Sequence, residues 1–461
     1  MNTYHLETSV HDPIHGYIPY VDLGVGAEVC ERDILHHPWV QRLRHIHQLQ
    51  SAWWVYPSAE HSRYPHVIGV MHLASRWVEH LYPSLKSVCP DVPSRGYIET
   101  LMRMAGLLHD VGHGPFGHFF DEHFLHQFSL THESLGAHVI RDQLGDLLSQ
   151  LRANPNSRLA DGEQLDVEQI AWIIQRPTPA SDDQQPRWMI LLRSLLSGIY
   201  TIDNMDFVLR DAYMTGYSQR SYDMDRLLRY TFFSNEGLTL HDRGIPALLR
   251  FTAARAELFR NIYYHHRVRA IDLALSDVFE DSIADLFPGD PQQHMQQYLH
   301  FTDSSLLTEV ATWSATSGSH QALGRRWDQI LHCRIPWEMT CQQTFSFGES
   351  ESEGSSIFCD ANYVESKLRD ALPVELHDIE LRVDIARYLN RPPAQGESIT
   401  QNYYIDASDC IRPLVTHPLV GQQVVVHRIC RVFARDMQHR SAITEALEKL
   451  SGQGADDLTN M

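Results

Sequence analysis

The His-Asp dipeptide occurs at His11-Asp12, His109-Asp110, His241-Asp242 and His377-Asp378, so the pair alone carries no information. Context separates one of the four. His109-Asp110 closes the run TLMRMAGLLH (100–109), which is apolar almost all round, as in a helix buried on every side. The glycine-rich turn VGHGPFGH follows it. A histidine and an aspartate carried into a core are costly unless they pair or bind a metal. Adjacent residues on a helix diverge, but at a helix end the backbone can turn both side chains towards one ion. Imidazole nitrogen together with carboxylate oxygen suits Mg, Mn, Fe or Zn, in a centre of one ion or two. Just downstream, His118 and Asp121 stand three residues apart in a helix expected to begin near Phe116, hence on one face. An imidazole oriented by a carboxylate makes a general acid or base near neutral pH. Asp203, Phe207, Arg210 and Asp211 fall at i, i+4, i+7 and i+8, again one helical face. His123 and His126 read as residues of a histidine-rich helix packing against its neighbours.

Positioning such groups requires long helices, and the pattern supplies them. VIGVMHLASRWVEHLY (67–82) has helical spacing, and 203–214, 247–265 and 440–450 also read as helix. A polar stretch over 152–187 is expected to be a loop or lid interrupted by the short helix LDVEQIAWIIQ (165–175). SFGESESEGSS (346–356) reads as a mobile loop. Alternating strands are few; VGQQVVVHRICRVFA (420–434), with its β-branched run, is the best candidate. The fold class is mainly α: a helical core over 1–290, then a smaller mixed α/β region over 291–461 serving oligomer contacts or a lid.

Composition sets limits. Lys and Arg total 38 against 58 Asp and Glu, a net charge of −20. That balance disfavours broad nucleic-acid binding, which needs positive charge to displace counterions, yet leaves room for a basic pocket around one nucleotide. The seven cysteines are scattered, odd in number and never form C-x-x-C, which fits a reducing compartment. The first twenty residues lack an apolar h-region and no apolar run of ~18 residues occurs, so a cytoplasmic protein without membrane partners is expected. The 29 histidines are the compositional anomaly.

DPIHG (12–16), VQRLRHIHQL (40–49), HSRYPHVIGV (61–70), GLLHDVGHGPFGHFFD (106–121), THE (131–133) and DNMDFVLRD (203–211) occur in that order, with weaker similarity through RNIYYHHRVRAI (260–271). This ordered series resembles the HD superfamily of metal-dependent phosphohydrolases. Within it, the chain is most similar to the SAM-and-HD-domain deoxynucleoside triphosphate triphosphohydrolases and their bacterial relatives. The resemblance implies His66, His109, Asp110 and Asp203 as ligands of a divalent metal. It implies that His118 and Asp121 act at the α-phosphate, the histidine protonating the departing sugar oxygen, with His132 and Glu133 as a second, supporting pair. Arg63 and His113 would contact phosphate, and Asp211 the 3′ side of the ribose. Gln48 and Leu49 would pack against the sugar edge and leave no room for a 2′-hydroxyl, although Leu49 reads equally as core. Phe207 lies on the sugar-facing helix. Tyr263 and Tyr264 fall in the weaker segment, so their substrate contacts, including any with the base, stay open.

Two departures stand out. The family often has Lys directly after the metal aspartate and Tyr four residues after it; here these are Asn204 and Phe207. An Asp and an Asn that read a guanine activator in the SAM-and-HD member correspond to His36 and His11, so activation by guanine nucleotide is not carried over, although Gln41 and Arg44 are retained. Three readings remain: a deoxynucleotide triphosphohydrolase, another HD phosphohydrolase or nuclease acting on single-stranded nucleic acid, and a nucleotide-responsive regulatory subunit. By resemblance the chain assembles as a homo-oligomer, whether dimer, tetramer or hexamer. His109→Ala and Asp203→Ala are each expected to abolish turnover while a cooperative thermal unfolding transition is retained. Wild-type rates in either variant would remove the metal site.

Overall fold

The helices follow where the apolar side chains fall. The computed structural model describes residues 7–24, 26, 28–175, 184–315, 318, 320–348, 356–390 and 402–452, and the described chain is mainly α-helical. The segment expected over 67–82 lies within α1 (Arg63–Val88), which buries Val67, Val70, Met71, Leu73, Trp77 and Leu81 among others. The all-apolar run ends α2 (Arg95–Leu108), buried at every position from Gly96 to Leu108. Ser94 caps α2, its Oγ accepting from the Tyr97 amide at 3.2 Å. A Cβ on Gly106 would sit 3.0 Å from the Val70 carbonyl oxygen, so glycine lets α1 and α2 approach closely. The other helices used below are α3 (His118–His123), α4 (His132–Asp142), α5 (Ile202–Met214), α6 (Ile245–Leu258), α7 (Ala361–Ala371) and α8 (Arg440–Leu450).

Several sequence expectations shift at their edges. α3 begins at His118 rather than near Phe116, because Phe116 (φ 59°) and Gly117 (φ 56°) are left-handed and cannot continue a right-handed helix. The helix expected over 247–265 stops at Leu258 and passes into a π-helical turn, Phe259–Tyr263. The short helix in the polar stretch is Val167–Ile174, capped by Asp166; residues 176–183 lie outside the described residues. Ser346 and Phe347 end a strand rather than opening a loop, and 349–355 also lie outside the described residues. The strand expected over 420–434 starts only at Val426, since Pro418–Gly421 forms a helical turn.

Nine strands occur among the described residues: β1 (Glu7–Asp12), β2 (Gly16–Val21), β3 (Thr231–Phe233), β4 (Leu238–His241), β5 (Glu338–Phe347), β6 (Leu381–Leu389), β7 (Tyr403–Ile405), β8 (Ile411–Pro413) and β9 (Val426–Ala434). The chain divides into two compact units, each assembled from separated segments. The first comprises Met1–Leu258, Ser282–Val310 and Glu397–His417. It holds the β1–β2 hairpin, α1 to α6 and the sheet β3-β4-β7-β8. In that sheet β4 pairs in parallel with β7, Thr239 opposite Tyr403, so a late segment returns to the helical core. A single cut near residue 290 therefore does not describe the division. The second unit comprises Phe259–Asp281, Ala311–Gly396 and Pro418–Met461. Its antiparallel sheet β5-β9-β6 forms a core with α7 and α8 through Val364, Leu368, Val383, Cys430, Val432 and Ile443. This is the smaller mixed α/β region.

One buried ion pair fastens the N-terminal hairpin. Arg103 of α2 is fully buried and donates to Glu31 through Nε at 2.5 Å and NH2 at 2.8 Å. It also donates to Ser75 Oγ at 2.9 Å and to the Pro19 carbonyl at 3.2 Å, while Glu31 accepts from the Val21 amide at 3.0 Å. Removing one partner leaves the other charge buried and uncompensated. Arg103→Met is expected to lower stability by about 3–5 kcal/mol, read as a lower urea midpoint, and adding Glu31→Leu should recover much of the loss. An unchanged midpoint in the single variant would show that the pair does not hold the hairpin.

Candidate active site

Three helix ends in the first unit converge. His66 lies in the first turn of α1, His109 caps the C-terminus of α2, and Asp203 lies in the first turn of α5, which Thr201 caps through the Asn204 amide at 3.0 Å. Asp203 Oδ1 stands 3.2 Å from His66 Nε2 and 3.6 Å from His109 Nε2. Both rings are tied back through their other nitrogen: His66 Nδ1 donates to Asp206 Oδ2 at 2.7 Å and His109 Nδ1 to the Gly106 carbonyl at 2.9 Å. Each Nε2 lone pair is thereby aimed at the same point, the usual arrangement behind metal-bound imidazoles. The His109 Nε2 is buried without a hydrogen bond, and the three ligand atoms lie within 4.8 Å of one another. Two imidazoles and a carboxylate so placed fit a divalent cation. Asp110, the fourth expected ligand, stands at the edge of this trio. Its Oδ2 accepts from Arg63 NH1 at 2.6 Å, while its Oδ1 lies 3.4 Å from both His109 Nε2 and His113 Nε2.

The electrostatics describe a site built for positive charge. Burial favours the neutral His66 ring, but Asp203 and Asp206 outweigh it and push its pKa up to about 10. His109 also moves up against burial, through Asp110 and Asp203. Burial alone would raise both aspartates, yet His109 and Arg63 hold Asp110, and the two histidines hold Asp203, well below the usual carboxylate range. A bound cation would take the place of the Nε2 protons that these carboxylates keep on His66 and His109.

A second cluster adjoins the first. Asp121 Oδ2 accepts from His132 Nδ1 at 2.5 Å and lies 3.3 Å from His118 Nδ1. Those two bonds hold Asp121 ionised against the cost of burial. Glu133 Oε1 stands 3.6 Å from His132 Nε2. The His113 ring stacks on His132 with centroids 3.8 Å apart; it is fully buried and neither nitrogen makes a hydrogen bond. Burial first, then the charges of Arg63 and His132, keep His113 neutral. The His118 side chain is 61% exposed while Asp121 and His132 are nearly enclosed, so this group opens to solvent through His118. His123 and His126, read from the sequence as packing residues, are exposed and outside the cluster, although the His123 ring lies against Phe119 with centroids 4.1 Å apart.

The turn between the clusters is held from elsewhere in the unit. Buried Arg42 donates to the carbonyls of Val111 and His113 on one side and of Tyr298, Leu299 and Phe301 on the other. Asp303 Oδ1 accepts from the Phe116 amide at 2.7 Å, fixing that left-handed residue, and its Oδ2 accepts from His47. A Cβ on Gly112 would meet the His132 carbonyl oxygen at 2.1 Å, and one on Gly117 would meet Arg63 NH2 at 2.5 Å. Sequence reasoning gave Arg42, Asp303, Asp206 and His15 no role. His15, Arg42 and Asp206 lie within the ordered motifs, and Asp206 also stands four residues before Arg210; Asp303 left no signal.

The other expected substrate residues are distributed as follows. Gln48 is half-buried with Oε1 lacking a hydrogen bond, and Leu49 is buried. Asp211 is buried, its Oδ1 accepting from His61 Nε2 at 2.9 Å. Phe207 is half-buried on α5. Tyr263 and Tyr264 belong to the second unit, where the Tyr264 hydroxyl donates to the Arg387 carbonyl at 2.7 Å.

Comparison with known proteins agrees with the ordered motifs. Residues 63–186 match the HD domain family, and the chain carries that domain. A Dictyostelium discoideum protein named deoxynucleoside triphosphate triphosphohydrolase SAMHD1 homolog is 25% identical over 460 residues, covering 96% of this chain and 80% of its own. The Xenopus laevis deoxynucleoside triphosphate triphosphohydrolase SAMHD1 is 30% identical over 295 residues, 58% of this chain and 44% of that one. The uncharacterized Bacillus subtilis protein YwfO is 28% identical over 268 residues, 58% and 54% respectively. Except for the Dictyostelium protein, the chain thus spans about half the length of these relatives. The crystal structure of a hypothetical protein from Aquifex aeolicus has a TM-score of 0.69 at 22% identity, covering 96% of this chain and 100% of that one, a likeness of fold. Asp121→Asn and His132→Gln are each expected to lower kcat by about 10²–10⁴-fold while cation binding at His66, His109 and Asp203 persists. An unaltered kcat would remove the acid–base role of this cluster.

Proposed function

We propose that this HD-domain chain is a metal-dependent phosphohydrolase that converts deoxynucleoside triphosphates to deoxynucleoside and inorganic triphosphate. The observation that carries the reading is the wall shared by the two clusters: Asp110 Oδ1 faces His109 Nε2 on one side and His113 Nε2 on the other, 3.4 Å from each. A phosphoryl group held there meets cation ligands and a proton donor together. A named triphosphohydrolase relative matching 96% of the chain supports the nucleotide. A divalent cation held by His66, His109 and Asp203, with Asp110 beside them, supplies Lewis-acid polarisation of the phosphoryl oxygens.

The chain's own residues do the rest. Arg63 is oriented by Asp110 and keeps a buried Nε without a hydrogen bond, a donor for phosphate; His113 offers a second contact. As water attacks the α-phosphorus, the bond to the sugar oxygen breaks and that oxygen takes its proton from His118. The proton the water sheds passes to solvent, from which the exposed His118 is reprotonated. Asp121 orients His118, while His132 and Glu133 support Asp121 from behind. Gln48 and Leu49 close the 2′ edge of the sugar, with Asp211 on its 3′ side and Phe207 one helical turn before it. Asn204 and Phe207 offer neither ammonium nor phenol, so neutralising the triphosphate falls to Arg63 and the histidines. The same reading expects a homo-oligomer working in the cytoplasm.

A deoxynucleotide panel assayed with Mg, Mn, Fe and Zn, with products resolved by ion-exchange chromatography, tests this. Triphosphate and deoxynucleoside are expected, with ribonucleotides slower by about a hundredfold, the scale on which an apolar pocket rejects an added hydroxyl. Release of pyrophosphate, or cleavage of an oligonucleotide instead, would assign the site to a different HD phosphohydrolase. Nucleotide binding with no product under any metal would make it regulatory.

A further inference from the structure

Behind His66 a closed chain of buried polar contacts runs back to the N-terminal hairpin. At the hairpin tip Asp12 Oδ1 accepts from the amides of Ile14 and His15, both at 2.9 Å, an aspartate-capped turn that sets the direction of His15. Asp12 Oδ2 accepts from Arg210 NH1 at 2.7 Å. Arg210 forks onto Asp206, Nε to Oδ2 at 2.8 Å and NH2 to Oδ1 at 2.9 Å. Asp206 then receives two rings: His15 Nε2 on Oδ1 and His66 Nδ1 on Oδ2, each at 2.7 Å. Each carboxylate oxygen thus accepts two donors, and the Asp206, Arg210 and His15 side chains are all but completely buried.

Saturation of this kind excludes Asp206 as a ligand and leaves it one task. It holds the proton of His66 on Nδ1, so the lone pair stays on Nε2, and it fixes the ring plane. Arg210 keeps the carboxylate charged, and Asp12 keeps Arg210 from turning away. α1 is shaped for this contact. Gly69, one turn after His66, is where a Cβ would lie 2.0 Å from Asp206 Oδ1 and 2.5 Å from Arg210 NH2. Any side chain there pushes the carboxylate off the ring.

We propose that Asp206 is the positioning residue of the cation site, and that the β1–β2 hairpin, acting through Asp12 and His15, sets how tightly the site holds its ion. The inference rests on the metal reading above and adds to it an element distant in sequence from three of the four expected ligands. A carboxylate behind a metal-bound imidazole raises its basicity and restricts its orientation; losing one commonly costs ten- to a hundredfold in affinity.

The test is binding to metal-free protein, with no turnover involved. Mn²⁺ is titrated by calorimetry and Co²⁺ by visible absorption, with the tight site defined as the one lost in His109→Ala. Asp206→Asn is expected to weaken that site ten- to a hundredfold and to shift the Co²⁺ bands; His15→Phe and Gly69→Ala should weaken it by smaller factors. If Asp206→Asn does not fold, Gly69→Ala decides, since it removes no charged group and replaces a poor helix former with the best one. Variants that stay folded and bind with wild-type affinity and an unshifted Co²⁺ spectrum would overturn the proposal while leaving the metal site intact. Wild-type protein that binds neither ion at this site would overturn the metal reading itself, and the proposal with it.

Discussion

Charge buried inside the first unit must be answered within a few ångströms, and that requirement organises the site. A carboxylate or imidazolium taken out of water loses several kcal/mol of hydration unless an opposite charge and hydrogen bonds replace it. Asp203 faces His66 and His109, Asp110 faces Arg63, Asp206 faces Arg210, and Asp121 faces two imidazoles. Each answer also fixes a direction. The groups that make burial tolerable are the same groups that aim two Nε2 atoms at one point and hold His118 against its carboxylate. Stability and preorganisation are therefore not separate achievements here; removing either partner of a pair disturbs both.

The helices provide anchor points rather than the whole site. α1, α2 and α5 each contribute one residue near an end, where side chains can converge without crossing a neighbouring helix. Between His109-Asp110 and His118 the chain must reverse sharply, and it does so through left-handed Phe116 and Gly117, close contacts at Gly112, and carbonyls gathered by Arg42. Among the described residues that arginine forms no ion pair; it takes five backbone carbonyls from two stretches of chain. It thereby fixes the turn in place while satisfying acceptors that would otherwise be buried and unpaired. Asn204 and Phe207 stand where the resembled family commonly has a cation and a phenol, which leaves Arg63 as the buried cation beside Asp110.

The long helices were legible in the sequence, and so was His109, one member of the cluster that could hold a metal. Apolar periodicity revealed α1, α2 and α5, and an all-apolar run ending in His109-Asp110 distinguished one His-Asp dipeptide from three others. Periodicity worked because burial imposes it residue by residue, so each helix records its environment locally. The ordered motifs pointed to the HD domain, and the match over 63–186 agrees. The three-residue strands β3, β7 and β8 were not legible, being too short to show alternation, and the interleaving of the two units was hidden because β4 finds β7 far along the chain.

His15, Asp206, Arg42 and Asp303 had the composition of ordinary surface residues until the fold buried them. Sequence determined which residue types were present to bind a cation and transfer a proton, and which helices would carry them. Tertiary structure alone decided which imidazole nitrogen points inward, which carboxylate serves as candidate ligand and which as support. Those outcomes depend on hydrogen bonds between segments up to about two hundred residues apart, such as His15 to Asp206, and a donor's partner across that distance leaves no periodic trace in the chain.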